Sequence, residues 1–172
     1  MDLNFNQRLS AEGVGVDKFV KDSQVYTTEL VLPNDTNQLG NLLGGRLMHW
    51  IDIAAAIAAQ RHSGRVCVTA SVDELNFHHA IKLGEVVTLQ ASVNRAFRTS
   101  MEVGVLVRAA GLTGTMSRRA NNAYLTFVAI DNEGRPVPAP PIIPETEEEI
   151  RRYEEALTRR QLRLERRQPA QS

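Results

Sequence analysis

The chain has 172 residues, 42% apolar and 23% charged, and its 20 basic side chains balance its 20 acidic ones. This length and composition predict one globular domain with a core large enough to stand without disulfides or a structural metal. Cys67 is the only cysteine, which excludes an internal disulfide and a thiol-based zinc site and suggests a reducing cytoplasm. The opening Met1-Asp2-Leu3-Asn4-Phe5-Asn6 lacks the pattern of a signal peptide, and no apolar run is long enough to span a bilayer, so no membrane segment is expected. Balanced charge and few aromatic side chains argue against a nucleic-acid partner.

Residues 1–20 are polar without a sustained period and read as a flexible N-terminal arm. Residues 23–32 are rich in β-branched and aromatic types and end at Pro33, which predicts a strand. Turn formers from Pro33 to Asn41 predict a loop, and Gly44-Gly45 lead into a helix over residues 46–61. Between Trp50 and Ala59 that helix is apolar on nearly every face, the pattern of a helix buried all round. Strand-like stretches follow near 66–77, 85–97, 100–110 and 120–131. One strand, a buried helix and four closely linked strands predict an α+β domain over residues 21–135, with an antiparallel sheet curved around a central helix. Five prolines from Pro136 to Pro144 predict an extended connector. Thr146 and Glu149 then form a capping box for a C-terminal helix, so residues 136–168 read as connector plus helix. Its stripe of Ile150, Tyr153, Leu157 and Leu164 is expected to dock on the same domain or on a neighbouring subunit.

Asp52 is the first chemical candidate. An ionised carboxylate in an apolar helix is costly unless it is paired or faces a wet cleft, and a partly desolvated carboxylate is what a general base or nucleophile needs near neutral pH. Asn41 with Gly44-Gly45 is the second, because glycines before a helix leave bare N–H groups at its positive end, able to polarise a carbonyl. His49 lies three residues before Asp52 and could form an acid-base couple with it, or pack in a pocket or interface. His62 suits a helix end, His78-His79 fall in a turn, and Cys67 reads as a small buried apolar residue. No spacing matches a metal site, a nucleotide phosphate loop or a serine-nucleophile elbow.

Several motifs occur together. They are Pro33-Asn34-Asp35-Thr36-Asn37-x-x-Gly40-Asn41-x-x-Gly44-Gly45-x-x-Met48-x-x-Ile51-Asp52, Thr69-Ala70-Ser71-Val72-Asp73, and Arg98-Thr99-Ser100-Met101-Glu102-Val103. With the proline-rich stretch from Val137 and the acidic run from Pro144, this pattern resembles the hotdog-fold acyl-CoA thioesterases, including the brain-type cytosolic acyl-CoA hydrolases, over about residues 23–165. The resemblance implies a curved sheet around a long helix, with active sites built between paired subunits and commonly a trimer of dimers. It implies that Asp52 and Asn41 act together from opposite subunits of a homodimer, with Gly45 polarising the thioester carbonyl.

On that reading the chain hydrolyses fatty acyl-CoA to free acid and coenzyme A, with Asp52 as base or nucleophile and Asn41 positioning water or the acyl group. No cofactor is expected beyond the coenzyme A carried by the substrate. Gly44, the turn Arg98-Thr99-Ser100 and Lys82 are candidates for holding substrate, with Arg118 and Arg119 as rival cations for the coenzyme's phosphates. Two other readings are a non-catalytic acyl-CoA sensor and a hotdog dehydratase. The absence of histidine between Pro33 and Gly44 speaks against the dehydratase, and the pairing of Asn41 with Asp52 speaks against a mere sensor.

Overall fold

The computed structural model describes residues 18–114 and 116–167. Strand β1 (Lys18–Phe19) and the single turn α1 (Val20–Ser23) lead into β2 (Val25–Leu30), and a short 3-10 turn, Pro33–Asp35, opens the loop to helix α2 (Gly44–Ser63). Strands β3 (Val66–Phe77), β4 (Val86–Ala96), β5 (Ser100–Ala110) and β6 (Arg118–Ile130) follow, then β7 (Ile142–Ile143) and α3 (Glu147–Arg167). The main sheet is antiparallel in the order β2-β4-β5-β6-β3, and α2 touches all five strands. This is the α+β architecture expected, a sheet wrapped around a central helix with a second helix at the C-terminus.

Alternation along the strands makes the concave face apolar. Val87, Leu89 and Val93 of β4, Met101, Val103 and Val107 of β5, and Leu125 and Phe127 of β6 are at most 2% exposed. They meet Leu47, Ile51, Ala54, Ala55, Ala58 and Ala59 of α2, whose small side chains bring the helix close to the sheet. Each large side chain buried in this way contributes about 1.5–3 kcal/mol. On the convex face the fit is equally tight at Gly104, where a Cβ would lie 2.8 Å from the Asn94 side chain, so a larger residue would have to displace the amide that donates to Glu102.

Two expectations need correction. The arm expected over residues 1–20 mostly lies outside the described residues, but its last three belong to the domain. Lys18 and Phe19 pair in parallel with Ile142 and Ile143, and Val20 is 3% exposed. The Ser23 hydroxyl donates to the Val20 carbonyl at 2.7 Å and accepts from the Val93 N–H at 2.9 Å. The short Lys18-Phe19-Val20 segment was hidden within a polar stretch, because three residues show no period and the strand they pair with is more than 120 residues away.

The second correction concerns α3. Its capping box forms, with the Glu149 N–H donating to Thr146 Oγ1 at 3.2 Å and the Thr146 N–H donating to Glu149 Oε2 at 3.1 Å. Of the expected stripe, however, only Tyr153 packs against the core. The helix docks on the convex face mainly through arginines. Arg159 grips Glu102, which is fully buried, with bonds of 3.0 and 2.8 Å, and stacks 3.8 Å above the Tyr124 ring. Arg163 reaches Asp73 of β3 and Thr126 of β6, at 2.6 Å each. Arg95 of β4 stacks on Tyr153, and Arg160 on Phe97. Long guanidinium side chains bury their stems while pairing their heads, so docking on this sheet is carried by residues outside the apolar stripe, and Ile150, Leu157 and Leu164 stay exposed.

His62, near the end of α2, is fully buried and donates its Nε2–H to the Pro140 carbonyl at 2.7 Å, tying the connector to the helix. Burial pushes this imidazole below its ordinary range, against the opposing pull of the Pro140 bond. The unfolded chain therefore binds a proton that the folded chain resists. The stability from this group is full above about pH 6.5 and is lost as pH falls below it. The melting temperature of the wild type should accordingly fall more steeply between pH 7 and pH 5 than that of His62→Gln. Equal slopes would remove His62 from the acid response.

Candidate active site

The loop that delivers α2 is held from below by Asp35. Its carboxylate accepts from the Leu32 N–H at 3.0 Å and pairs with Arg46 Nε at 2.8 Å, while its carbonyl accepts from the Leu43 N–H at 2.8 Å. Asn37 closes the next turn. Its N–H donates to the Asn41 carbonyl at 2.8 Å, and its Oδ1 accepts from the N–H groups of Leu39 and Asn41 at 2.9 and 3.2 Å. Asn41 also forms a backbone bridge with Lys82. No side chain caps the start of α2 and no acid lies in its first turn, so the positive end of the helix is left bare.

Seven residues on from Gly45, two helical turns along the same face, stands Asp52. It is half-buried and accepts a 2.8 Å hydrogen bond at Oδ1 from the Thr69 hydroxyl. Thr69 sits where the β3–β6 register slips, a bulge that re-aims the strand toward the helix. A cavity of about 260 Å³ opens between α2 and the sheet. Gly45, Met48, His49, Ile51 and Asp52 line it from the helix, with Val72 and Leu75 from β3 and Ala123 and Leu125 from β6. The wall is apolar apart from Asp52 and His49.

One chain thus brings Asp52 and Gly45 together on one cavity, and adds His49, which the sequence left open between an acid-base couple with Asp52 and packing in a pocket or interface. Asn41 and Lys82 do not line it. Asn41, in the loop before α2, bridges to Lys82, which lies in the connection beyond the Phe77 end of β3. Arg98, Thr99 and Ser100 form the β4–β5 turn at the opposite end of the sheet, since Ser100 pairs with Val128 and Val128 with Val68 near the start of β3. Of the rival cations, Arg118 is occupied by Glu85 at 2.6 and 2.9 Å and by the Ala80 carbonyl. That bond holds the Glu85 carboxyl below its usual range. Arg119 is exposed and does not line this cavity.

Thr69 is the residue the sequence reading quoted within a motif but gave no role. Its signal was a hydroxyl in an edge strand, which gains meaning only once β3 lies beside the helix aspartate. Asn37 was likewise passed over within a run of turn formers.

Residues 39–114 match the thioesterase superfamily. The chain is 41% identical over 155 residues to the acyl-CoA thioester hydrolase YkhA of Bacillus subtilis, covering 90% of each. It is 43% identical over 154 residues to acyl-coenzyme A thioesterase 11 of Mus musculus, covering 90% of this chain but 25% of that protein, so it spans about a quarter of the mouse relative. Among solved structures, the acyl-CoA hydrolase of Staphylococcus aureus, in complex with butyryl coenzyme A, coenzyme A and coenzyme A disulfide, superposes with a TM-score of 0.84 at 39% identity, covering 88% of this chain and 93% of that one. That enzyme has also been solved with alanine in place of an aspartate, of an asparagine 15 residues before it and of a threonine 17 residues after it. A hexameric acyl-CoA thioesterase superposes with a TM-score of 0.86 at 38% identity, over 90% of this chain and 99% of that one. By sequence and fold together, this chain belongs to the acyl-CoA thioesterases of the thioesterase superfamily.

Proposed function

We propose that the chain hydrolyses acyl-CoA thioesters to free acid and coenzyme A, at a site centred on Asp52 and completed by a second copy of the chain. The observation that carries this reading is the half-buried Asp52, fixed by Thr69 on a cavity that is apolar apart from His49 and that reaches Gly45 at the bare N-terminus of α2. The apolar wall suits an acyl chain. With the thioester carbonyl at Gly45, the N–H groups of the first turn and the helix dipole stabilise the oxyanion as it forms. Thr69 engages Oδ1 of Asp52, so Oδ2 is the oxygen that takes a proton from water or attacks the carbonyl carbon directly. The C–S bond then breaks, and coenzyme A leaves as a thiolate that picks up a proton; on the direct-attack route a water molecule then hydrolyses the acyl–Asp52 anhydride to free acid and regenerates the carboxylate. No further cofactor enters this scheme, and the cytoplasm is its proposed setting.

The edge strand β3 supports a shared site. It is 12 residues long, and Val66, Val68 and Val72 are 60%, 44% and 46% exposed. Such an edge pairs readily with another strand. Antiparallel pairing of two copies would bring the Phe77 end of one, with its Asn37–Asn41 loop and Lys82, beside the Thr69 end of the other, near Asp52 and the Arg98-Thr99-Ser100 turn. Residues that one chain keeps apart would then meet. Within that loop we assign the positioning amide to Asn37 in place of Asn41. Asn37, Asp52 and Thr69 repeat the residue types and the 15- and 17-residue spacings of the three Staphylococcus aureus variants. Further assembly to a trimer of dimers is proposed from the hexameric neighbour.

The test follows thiol release from acyl-CoAs of increasing chain length. Turnover with a length optimum is expected, whereas tight binding without release would leave a sensor. Mixing Asp52→Asn with Asn37→Ala chains should restore activity through mixed dimers that hold one intact site. No recovery, from subunits shown to exchange, would end the shared-site reading, and recovery only with Asn41→Ala would return the role to Asn41.

Gly45→Ala separates function from stability. A Cβ there meets nothing within 4 Å in the chain, and alanine in a helix is favoured over glycine by about 0.5–1 kcal/mol. The variant should melt no lower than the wild type yet lose turnover about tenfold or more, because the methyl group occupies the carbonyl's approach. Full activity would place the thioester elsewhere.

A further inference from the structure

Ile150, Leu157 and Leu164 of α3 stand outside the hydrophobic core, 44%, 46% and 46% exposed. They recur every seventh residue, so on an α-helix they form one nearly straight line. That line runs along the flank of the docked face. Its neighbours around the helix, Tyr153 and Arg160, meet Arg95 and Phe97 at β4 and the turn after it. On the sheet beyond them, Tyr26 and Leu30 of β2 pair with Gln90 and Val86, which puts them on the same convex face as α3, and they are 64% and 44% exposed. Bare apolar surface therefore extends from the helix flank onto the outer strands. A patch of this kind marks an interaction surface.

Charge along α3 indicates what covers it. The first half carries Glu147, Glu148, Glu149, Glu154 and Glu155 against Arg151 and Arg152, and the second half carries Arg159, Arg160, Arg163, Arg166 and Arg167 against Glu165, so the two halves are net acidic and net basic. Laid antiparallel on a copy of itself about Leu157, the helix sets Ile150 against Leu164 and Leu157 against Leu157. The same register sets Glu154 against Arg160, each about 60° around the helix from the Leu157 line. Parallel pairing would instead oppose acid to acid and arginine to arginine. A self-complementary patch of this kind closes about a two-fold axis. We propose that α3 helices of two copies pair antiparallel across a two-fold axis at Leu157, joining chains through the convex face rather than through β3. The open face over β2 and β4 is the floor on which the second helix lies. Nothing in this depends on the chemistry assigned to Asp52.

The axis makes a sharp prediction for cysteine crosslinking in the full chain, with disulfides mapped by mass spectrometry against buried Cys67. Leu157→Cys alone should form a 157–157 crosslink between chains. Ile150→Cys alone should not crosslink, but mixed with Leu164→Cys chains it should form a 150–164 bond. A Leu157→Cys chain that stays reduced under oxidation, or 150–150 crosslinks formed as readily, would overturn the proposal. In parallel, Leu157→Glu should lower the assembly's mass by light scattering, with circular dichroism unchanged. An unchanged mass in a folded variant would equally overturn it.

Discussion

Replacing Asp52 with asparagine is expected to lower kcat by about 10²–10⁴-fold, the range that general acid-base groups contribute, with little change in melting temperature. The substitution is nearly isosteric. The amide oxygen still accepts the Thr69 hydroxyl that now binds Oδ1 at 2.8 Å, so the cavity wall keeps its shape. What disappears is the ability to take a proton or attack carbon. Stability should hold or rise slightly, since a half-desolvated charge is exchanged for a neutral group. Thiol-release kinetics under saturating acyl-CoA, beside a thermal melt, check both halves. A variant retaining more than a tenth of wild-type kcat would mean that the chemistry resides on another group, with His49 on the same wall the first to examine.

The second large effect concerns how α3 is held. Removing one partner of a buried ion pair costs about 3–5 kcal/mol because the other charge is left buried and uncompensated. Arg159 is 14% exposed and Glu102 fully buried, with Asn94 Nδ2 at 3.0 Å as the only other group recorded on that carboxylate among the described residues. Arg159→Met should therefore lower the melting temperature by on the order of 10 °C, taking about 2–4 °C per kcal/mol for a domain of this size. The double variant Glu102→Leu/Arg159→Met should recover most of that loss, since an apolar pair of similar volume is often neutral at such sites. Melts of the two variants and the wild type decide the point. A single variant that melts within 2 °C of the wild type would show the helix to be held elsewhere, with Arg163 and Asp73 the remaining clamp.

The elements were legible because residue types change sharply along the chain. The alanine-rich stretch expected over residues 46–61 is helical from Gly44 to Ser63, and the four later strands fall within two residues of their expected bounds. Gly45 and Asp52 were legible as a pair, since two helical turns fix them on one face whatever surrounds the helix. The partners of α3 were not. Glu102 sits in a strand whose alternation reads as a solvated outward face, and only the arrival of Arg159 from 57 residues away makes it buried. Thr69 was hidden for the same reason, because its bond to Asp52 crosses from strand to helix. The role of Lys82 stayed open because its distance from Arg98 depends on the sheet order.

The strand order also implies a sequence of events in time. Strands β4, β5 and β6 are neighbours both in the chain and in the sheet, whereas β3 pairs with β6 between residues 44 to 64 positions apart. Closing that larger loop costs more entropy, and nonlocal pairings form late. The three-strand meander should thus be protected first in pulse-labelled hydrogen exchange, with the amides of β3 following. Simultaneous protection would remove this order. Because β3 carries both Thr69 and the outer edge, a chain still missing its catalytic wall also lacks the edge proposed to join two subunits, and assembly through that edge waits on the completion of the site.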